Sequence, residues 1–125
     1  MILEVLPQNF TVCKLKKDTH LSLETDFCFI GKTDRECSLV CPTEAVPKDT
    51  LSREDGWRCF RVEGTLDFSL VGILSDISSR LAEAGIPIFA VSTFDTDYIL
   101  TKKQQFLPAL DILRAAGYQL KGDLS

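Results

Sequence analysis

The chain has 125 residues, 45% hydrophobic and 26% charged, with a formal net charge of −4. That size suits one compact domain or two units of about 60 residues sharing a core, and the composition is that of an ordinary globular protein. With an acidic balance, Lys and Arg scattered as singles and pairs, and no apolar run near the about 20 residues of a membrane span, neither nucleic acid nor a membrane is an expected partner.

At the start, Met1-Ile2-Leu3-Glu4-Val5 carries a carboxylate where a secretory signal carries Lys or Arg, so a cytoplasmic protein is expected. Short β-type runs follow at Ile2–Leu6, Phe10–Leu15, Phe27–Lys32, Glu36–Cys41 and Trp57–Glu63. Turn-rich pieces separate them, with Gly31-Lys32-Thr33-Asp34-Arg35 turning one strand into the next. Residues 42–56 hold Pro42, Pro47 and Gly56 and read as loop with at most a short helix.

The five cysteines, Cys13, Cys28, Cys37, Cys41 and Cys59, are odd in number and contain no C-x-x-C, so neither a disulfide framework nor a zinc knuckle is signalled. On a strand, Cys37 and Cys41 share a face about 13 Å apart, too far for one metal. They read as small buried hydrophobes in a reducing compartment.

The second half is more regular. Leu70, Ile73, Leu74, Ile77, Leu81 and Ala84 form one stripe of an amphipathic helix, with Asp67 or Ser69 as its cap and Gly85 closing it ahead of Pro87. Ile86–Ser92 is almost wholly apolar, the pattern of a strand buried on both faces, and Tyr98–Thr101 resumes β character after Thr93-Phe94-Asp95-Thr96-Asp97. Phe106, Leu110, Leu113 and Ala116 mark a second helix closed by Gly117. Two starts are open for it: a Thr101–Gln104 capping box with Pro108 costing a second-turn hydrogen bond, or a start near Leu107. Tyr118-Gln119-Leu120 fits a short edge strand.

Residues 57–121 thus read β-α-β-β-α-β, the ferredoxin-like split βαβ: α+β, an antiparallel sheet with both helices on one face. Residues 1–56 are read as a degraded, strand-rich copy whose first helix has shrunk to the Pro42–Leu51 region, which divides the chain at 56/57. The sheet edges make pairing of the halves, and a homodimer, the expected assembly.

Two segments suit a small zwitterion. The loop Phe68–Gly72 enters a helix whose first N–H groups lack intrahelical partners, so Leu70, Val71, Gly72 and Ile73 offer donors to a carboxylate. Gly72 either lets a ligand approach the backbone or packs helix tightly on sheet. Ser92, Thr93, Phe94, Asp95, Thr96 and Asp97 present hydroxyls and carboxylates that suit an ammonium, while the same residues make an ordinary polar turn. On the residues alone the turn reading is favoured.

Three stretches carry a resemblance: Asp67-Phe68-Ser69-Leu70-Val71-Gly72-Ile73-Leu74, Ala82-Glu83-Ala84-Gly85-Ile86-Pro87-Ile88, and Ser92-Thr93-Phe94-Asp95-Thr96-Asp97-Tyr98-Ile99-Leu100. With them the chain resembles the ACT-domain proteins related to the CASTOR arginine sensors, in their short stand-alone prokaryotic form. The matching core spans about residues 57–118, and Ser38-Leu39-Val40-Cys41-Pro42 and Val46-Pro47 are similar to the family's leading unit. The resemblance implies tandem ACT units, an amino acid bound at their interface, regulation rather than catalysis, and no cofactor. It turns Gly72, Thr96 and Asp97 toward ligand binding, leaves Asp95 open, and makes Val40, Cys41 and Pro42 the candidates if the first half contributes to the pocket, which stays open.

No catalytic constellation competes with this reading. His20 sits in a polar turn with no adjacent nucleophile signal, no phosphate-cradling glycine motif occurs, and Glu54-Asp55 reads as solvated surface. Trp57 reads as an anchor at the start of its strand. The expected function is therefore an amino-acid-binding regulatory protein, with a regulated protein as partner. The alternative is an interaction subunit that keeps the fold without a ligand.

Overall fold

The computed structural model describes residues 1–22, 24–63 and 72–122. Their element order is β1 (Ile2–Val5), β2 (Phe10–Leu15), β3 (Phe29–Lys32), β4 (Cys37–Pro42), a 3-10 turn (Thr43–Ala45), β5 (Thr50–Val62), α1 (Ile73–Glu83), β6 (Phe89–Ser92), β7 (Asp97–Lys102), α2 (Lys103–Ala115) and β8 (Gln119–Gly122). The chain forms two compact units: Gln8–Trp57, inserted in sequence, and a discontinuous one made of Met1–Pro7 with Arg58–Ser125. Where position along the chain suggests a division at 56/57, the structure adds the first seven residues to the second unit. Burial explains it, because Leu3 and Val5 sit in one apolar core with Phe60, Val62, Ile77, Leu81 and Leu113.

In the discontinuous unit, β5-α1-β6-β7-α2-β8 is the expected βαββαβ series. Its strands lie in the order β6-β7-β5-β1-β8. A split βαβ sheet places its last strand beside its first; here β1 comes between them. β1 is antiparallel to β5, with Leu3 opposite Val62, and parallel to β8, with Leu3 opposite Leu120. The sheet is therefore mixed, where a purely antiparallel one was expected. Leu3, Val5, Phe60, Val62 and Ile99 face Ile77 and Leu81 of α1 and Phe106, Ala109, Leu110 and Leu113 of α2, so both helices cover one face.

Two local expectations change. Ile86–Ser92 is not a strand buried on both faces: only Phe89–Ser92 is strand, it alternates half-buried and exposed residues, and it pairs with β7 alone among the described strands. The apolar run misleads because Ile86, ahead of the strand, packs into the helix-side core. The second helix begins at Lys103 with no side-chain cap; Thr101 donates instead to the Lys102 carbonyl at 3.1 Å, and Pro108 lies inside the helix. The expected glycine closures hold, with Gly85 and Gly117 both at positive φ. The proposed caps Asp67 and Ser69, and Leu70 of the apolar stripe, lie outside the described residues.

The inserted unit has the strand order β3-β4-β2-β5, all pairs antiparallel, with β4 and β2 central. That is the split βαβ order with both helices reduced. The stretch between β2 and β3 fills the first helix position, and the 3-10 turn fills the second, whereas the sequence reading gave Pro42–Leu51 as the remnant of the first helix. Residues 50–56, read as loop, are strand. Leu51–Asp55 are exposed, so this stretch pairs through its backbone with no apolar face to announce it. Register shifts between Phe10/Val12 and between Lys14/Leu15 mark bulges in that pairing. Thr11 is fully buried, its Oγ1 2.6 Å from Asp55 Oδ1 and 2.9 Å from Thr43 Oγ1. Cys13, Leu15, Cys37, Leu39 and Cys41 form the small core, which makes these cysteines packing residues, and Trp57 is buried opposite Phe10.

Candidate ligand site

Gly72 is the N-cap of α1 in the left-handed conformation, φ 96°, ψ −3°. Among the described residues a Cβ built there meets nothing within 4 Å, while the positive φ itself favours glycine. The Gly72 carbonyl accepts from Asp76 N–H at 2.8 Å, the first bond of the helix, so the N–H groups of Ile73, Leu74 and Ser75 have no intrahelical acceptor. Ile73 also packs its side chain on the core, which holds this helix start in place. Leu70 and Val71 lie outside the described residues.

Beside these donors the first turn of α1 carries one carboxylate. Asp76 accepts from Tyr118 Oη at 2.6 Å and from Arg80 Nε at 3.0 Å. The Tyr118 hydrogen bond, then Arg80, holds the Asp76 carboxyl below its ordinary value. Burial first, and the bond to Asp76 second, push Tyr118 up to about 12. The i,i+4 spacing of Asp76 and Arg80 is legible in sequence, but Tyr118 is 42 residues away and leaves no local signal.

The hairpin turn between β6 and β7 brings Ser92 and Asp97 together. They are register partners, and Ser92 Oγ donates to Asp97 Oδ1 at 2.6 Å. Thr93 N–H and Thr93 Oγ1 both donate to the Thr96 carbonyl, at 2.8 and 2.9 Å, which closes the turn. Thr96 is buried and spends its hydroxyl on the Val62 carbonyl at 2.7 Å. That bond fixes the turn beside the last residue of β5, the end of the sheet from which the chain leaves for α1. Phe94, at the tip, is 82% exposed.

The two sequence segments therefore meet different fates. Ser92 and Asp97 are bonded to each other, Thr93 and Thr96 act within the turn, and the helix start behind Gly72 carries N–H groups without an intrahelical acceptor. Val40, Cys41 and Pro42 are buried residues of β4 in the inserted unit. In the discontinuous unit a cavity of about 470 Å³ lies along the C-terminal half of α1, lined by Ser78, Ser79, Ala82, Ile86 and Ile88 among others. Among the described residues no charged side chain lines it, and it suits a zwitterion poorly.

Comparison with known proteins agrees with this architecture. A sequence model of the ACT domain matches residues 52–115. Protein Atu0741 of Agobacterium tumefaciens is 32% identical, with a TM-score of 0.85 over 98% of this chain and 93% of its own. VC0802 of Vibrio cholerae, a protein of unknown function described as a possible transport protein, is 21% identical with a TM-score of 0.69 over 89% of this chain and 85% of its own. The aspartate kinase of Clostridium acetobutylicum, an allosteric enzyme, is 14% identical with a TM-score of 0.66 and covers 87% of this chain but 33% of its own. These last two share the fold. No curated protein matches by sequence. A family match over just over half of the chain, falling on the βαββαβ series that carries the candidate site, and a 32%-identical relative along almost all of it show that the chain belongs to the ACT-domain family.

Proposed function

We propose that the chain is a regulatory protein whose ACT unit binds a small amino acid. The observation that carries the reading is the joined Ser92–Asp97 pair, tied through Thr96 to the end of β5 that leads to the start of α1. An α-ammonium suits the Asp97 carboxylate and Ser92 Oγ. An α-carboxylate suits the N–H groups behind Gly72, which have no intrahelical acceptor; Leu70, Val71 and Ile73 enter the proposal as ligand residues on the sequence reading alone. Thr93 and Phe94 frame the turn. A ligand position at an interface of ACT-like units, a homodimer, and kinship with the CASTOR sensors enter the proposal on the family resemblance alone. So do the role of the first half as a degenerate ACT-like unit and the pocket role of Val40, Cys41 and Pro42. Among the described residues no helix is long and apolar enough to cross a membrane, and the five free thiols suit a reducing, cytoplasmic setting. Regulation rather than catalysis is the role proposed.

The test is thermal unfolding of the purified protein against the twenty amino acids. At a ligand concentration of 100 times Kd the stabilisation is about 2.7 kcal/mol, several degrees for a domain of this size. Asp97→Ala is expected to abolish that shift and leave the unliganded transition within about 1 kcal/mol. A flat panel sinks the reading. The exposed Phe94 favours one second reading, an interaction subunit without a ligand. On that reading Gly72→Glu leaves partner binding intact, and loss of binding in a folded Gly72→Glu protein counts against it.

A further inference from the structure

The sheet face that a complete split βαβ unit covers with two helices is covered in the inserted unit by irregular chain: the stretch between β2 and β3, the 3-10 turn and the residues after it. Three of its five core residues are cysteines, small side chains that fill less space than Leu or Ile. The result is a cavity of about 270 Å³, walled by Leu21, Ile30, Leu39, Ala45 and Pro47, with the Cys28 thiol and the hydroxyls of Ser22 and Thr25 as its polar groups and the exposed His20 beside them. An apolar hollow with a few polar groups is the usual make-up of a small-molecule site.

A second hollow of about 390 Å³ shares Thr25 and Ala45 with the first. Its chemistry differs. Asp26 and Glu44 line it, and among the described residues no basic side chain does. Gln8 Oε1, also in its lining, is buried from solvent and has no hydrogen-bond partner among the described residues. Phe27 completes the wall, held at φ 64° with its ring edge-on to Phe10, 6.4 Å between centroids. Among the described residues no group of three ligating side chains is placed to hold a metal ion. An anion meets two carboxylates, and a neutral molecule leaves both without a counter-charge. An ammonium satisfies the carboxylates and the Gln8 oxygen together and suits an aromatic neighbour.

We infer that these two hollows, which share Thr25 and Ala45 in their walls, together form a second ligand site on the inserted unit, one that takes a small amphipathic organic amine, apolar body in the apolar cavity and ammonium in the acidic one. The site stands apart from the proposed amino-acid site in residues and in charge preference, because the carboxylate of an amino acid is repelled by Asp26 and Glu44.

Titration calorimetry of the full chain with 2-phenylethylamine, against 2-phenylethanol and phenylacetate, tests it. Saturable binding of the amine is expected, at least about tenfold tighter than the alcohol, with none for the acid. Glu44→Gln and Asp26→Asn, both at exposed positions, should each weaken the amine about tenfold and leave the alcohol unchanged. Ala45→Leu should fill the apolar cavity and remove amine and alcohol alike. Asp97→Ala should alter neither, which separates this site from the amino-acid site. No saturable binding up to about 1 mM, equal binding of amine and alcohol, or indifference to both charge substitutions would each overturn the inference.

Discussion

Gly72 and Tyr118 show how single residues set the helix start at the candidate site. Because no described residue crowds the missing Cβ of Gly72, Gly72→Ala tests the cost of a left-handed backbone, expected at about 1–2 kcal/mol in urea unfolding. Tyr118 and Asp76 give this region opposite pH dependences. The folded pKa of Tyr118 lies at about 12, above its ordinary 10.0, so the folded state holds that proton longer. Its stabilisation is complete below the ordinary value of 10.0 and is lost as pH rises from there to about 12. The Asp76 pKa is lowered from 3.8, so its contribution is present above 3.8 and is lost as pH falls below it. Tyr118→Phe should flatten the alkaline loss in a melting series and weaken the acid one; an unchanged alkaline slope would show that another group carries it. Of the candidate site, sequence alone gives Asp97, Ser92 and Gly72 as residue types suited to a zwitterion. It gives neither the Thr96–Val62 bond nor the Asp76–Tyr118 bond, since both join residues far apart in the chain and leave no periodicity.

At the scale of elements, both helices are legible because their apolar residues recur at helical spacing, and Ile77, Leu81, Phe106, Leu110 and Leu113 of those stripes are buried. Strand β5 shows the limit of pattern reading. Its first half is exposed and polar and is held by backbone pairing to β2, so hydrophobic patterning carries no record of it. β1 shows another, for its Leu-Glu-Val alternation says strand but not that it separates β5 from β8. Arg61 secures it there: its Nε and Nη2 donate to Glu4 Oε1 at 3.0 and 2.9 Å, and Nη1 to Tyr98 Oη at 3.2 Å, linking β1, β5 and β7. At the far edge, Gly122 has φ 99°, and a Cβ there would collide with the Val5 carbonyl. Gly122→Ala should therefore cost about 2–3 kcal/mol, from backbone angle and clash together. The protein should unfold at lower urea, with hydrogen exchange rising first in β8. A cost under about 0.5 kcal/mol would mean that β8 contributes little.

In the molecule as a whole, the pairing of Leu3 with Leu120 has a consequence for how the chain folds. Nearly the entire sequence lies between these partners, so the sheet of the discontinuous unit is closed by its most distant contact. If the inserted unit folds first, pairing Phe10 with Trp57, it delivers β1 next to the second half of β5, where Leu6 N–H meets the Cys59 carbonyl at 3.0 Å. Shortening the remaining loop in this way is worth only about 0.5 kcal/mol of closure entropy. The larger benefit is that β8 then arrives at a finished edge instead of having to capture a loose strand. Leu39→Ala, which weakens the inserted unit's core by about 2–5 kcal/mol, should accordingly slow refolding of both units in stopped-flow traces. A refolding rate that stays constant while unfolding quickens would show that β1 docks unaided. On the expected outcome, the inserted unit is a kinetic clamp that sets the order in which the chain assembles.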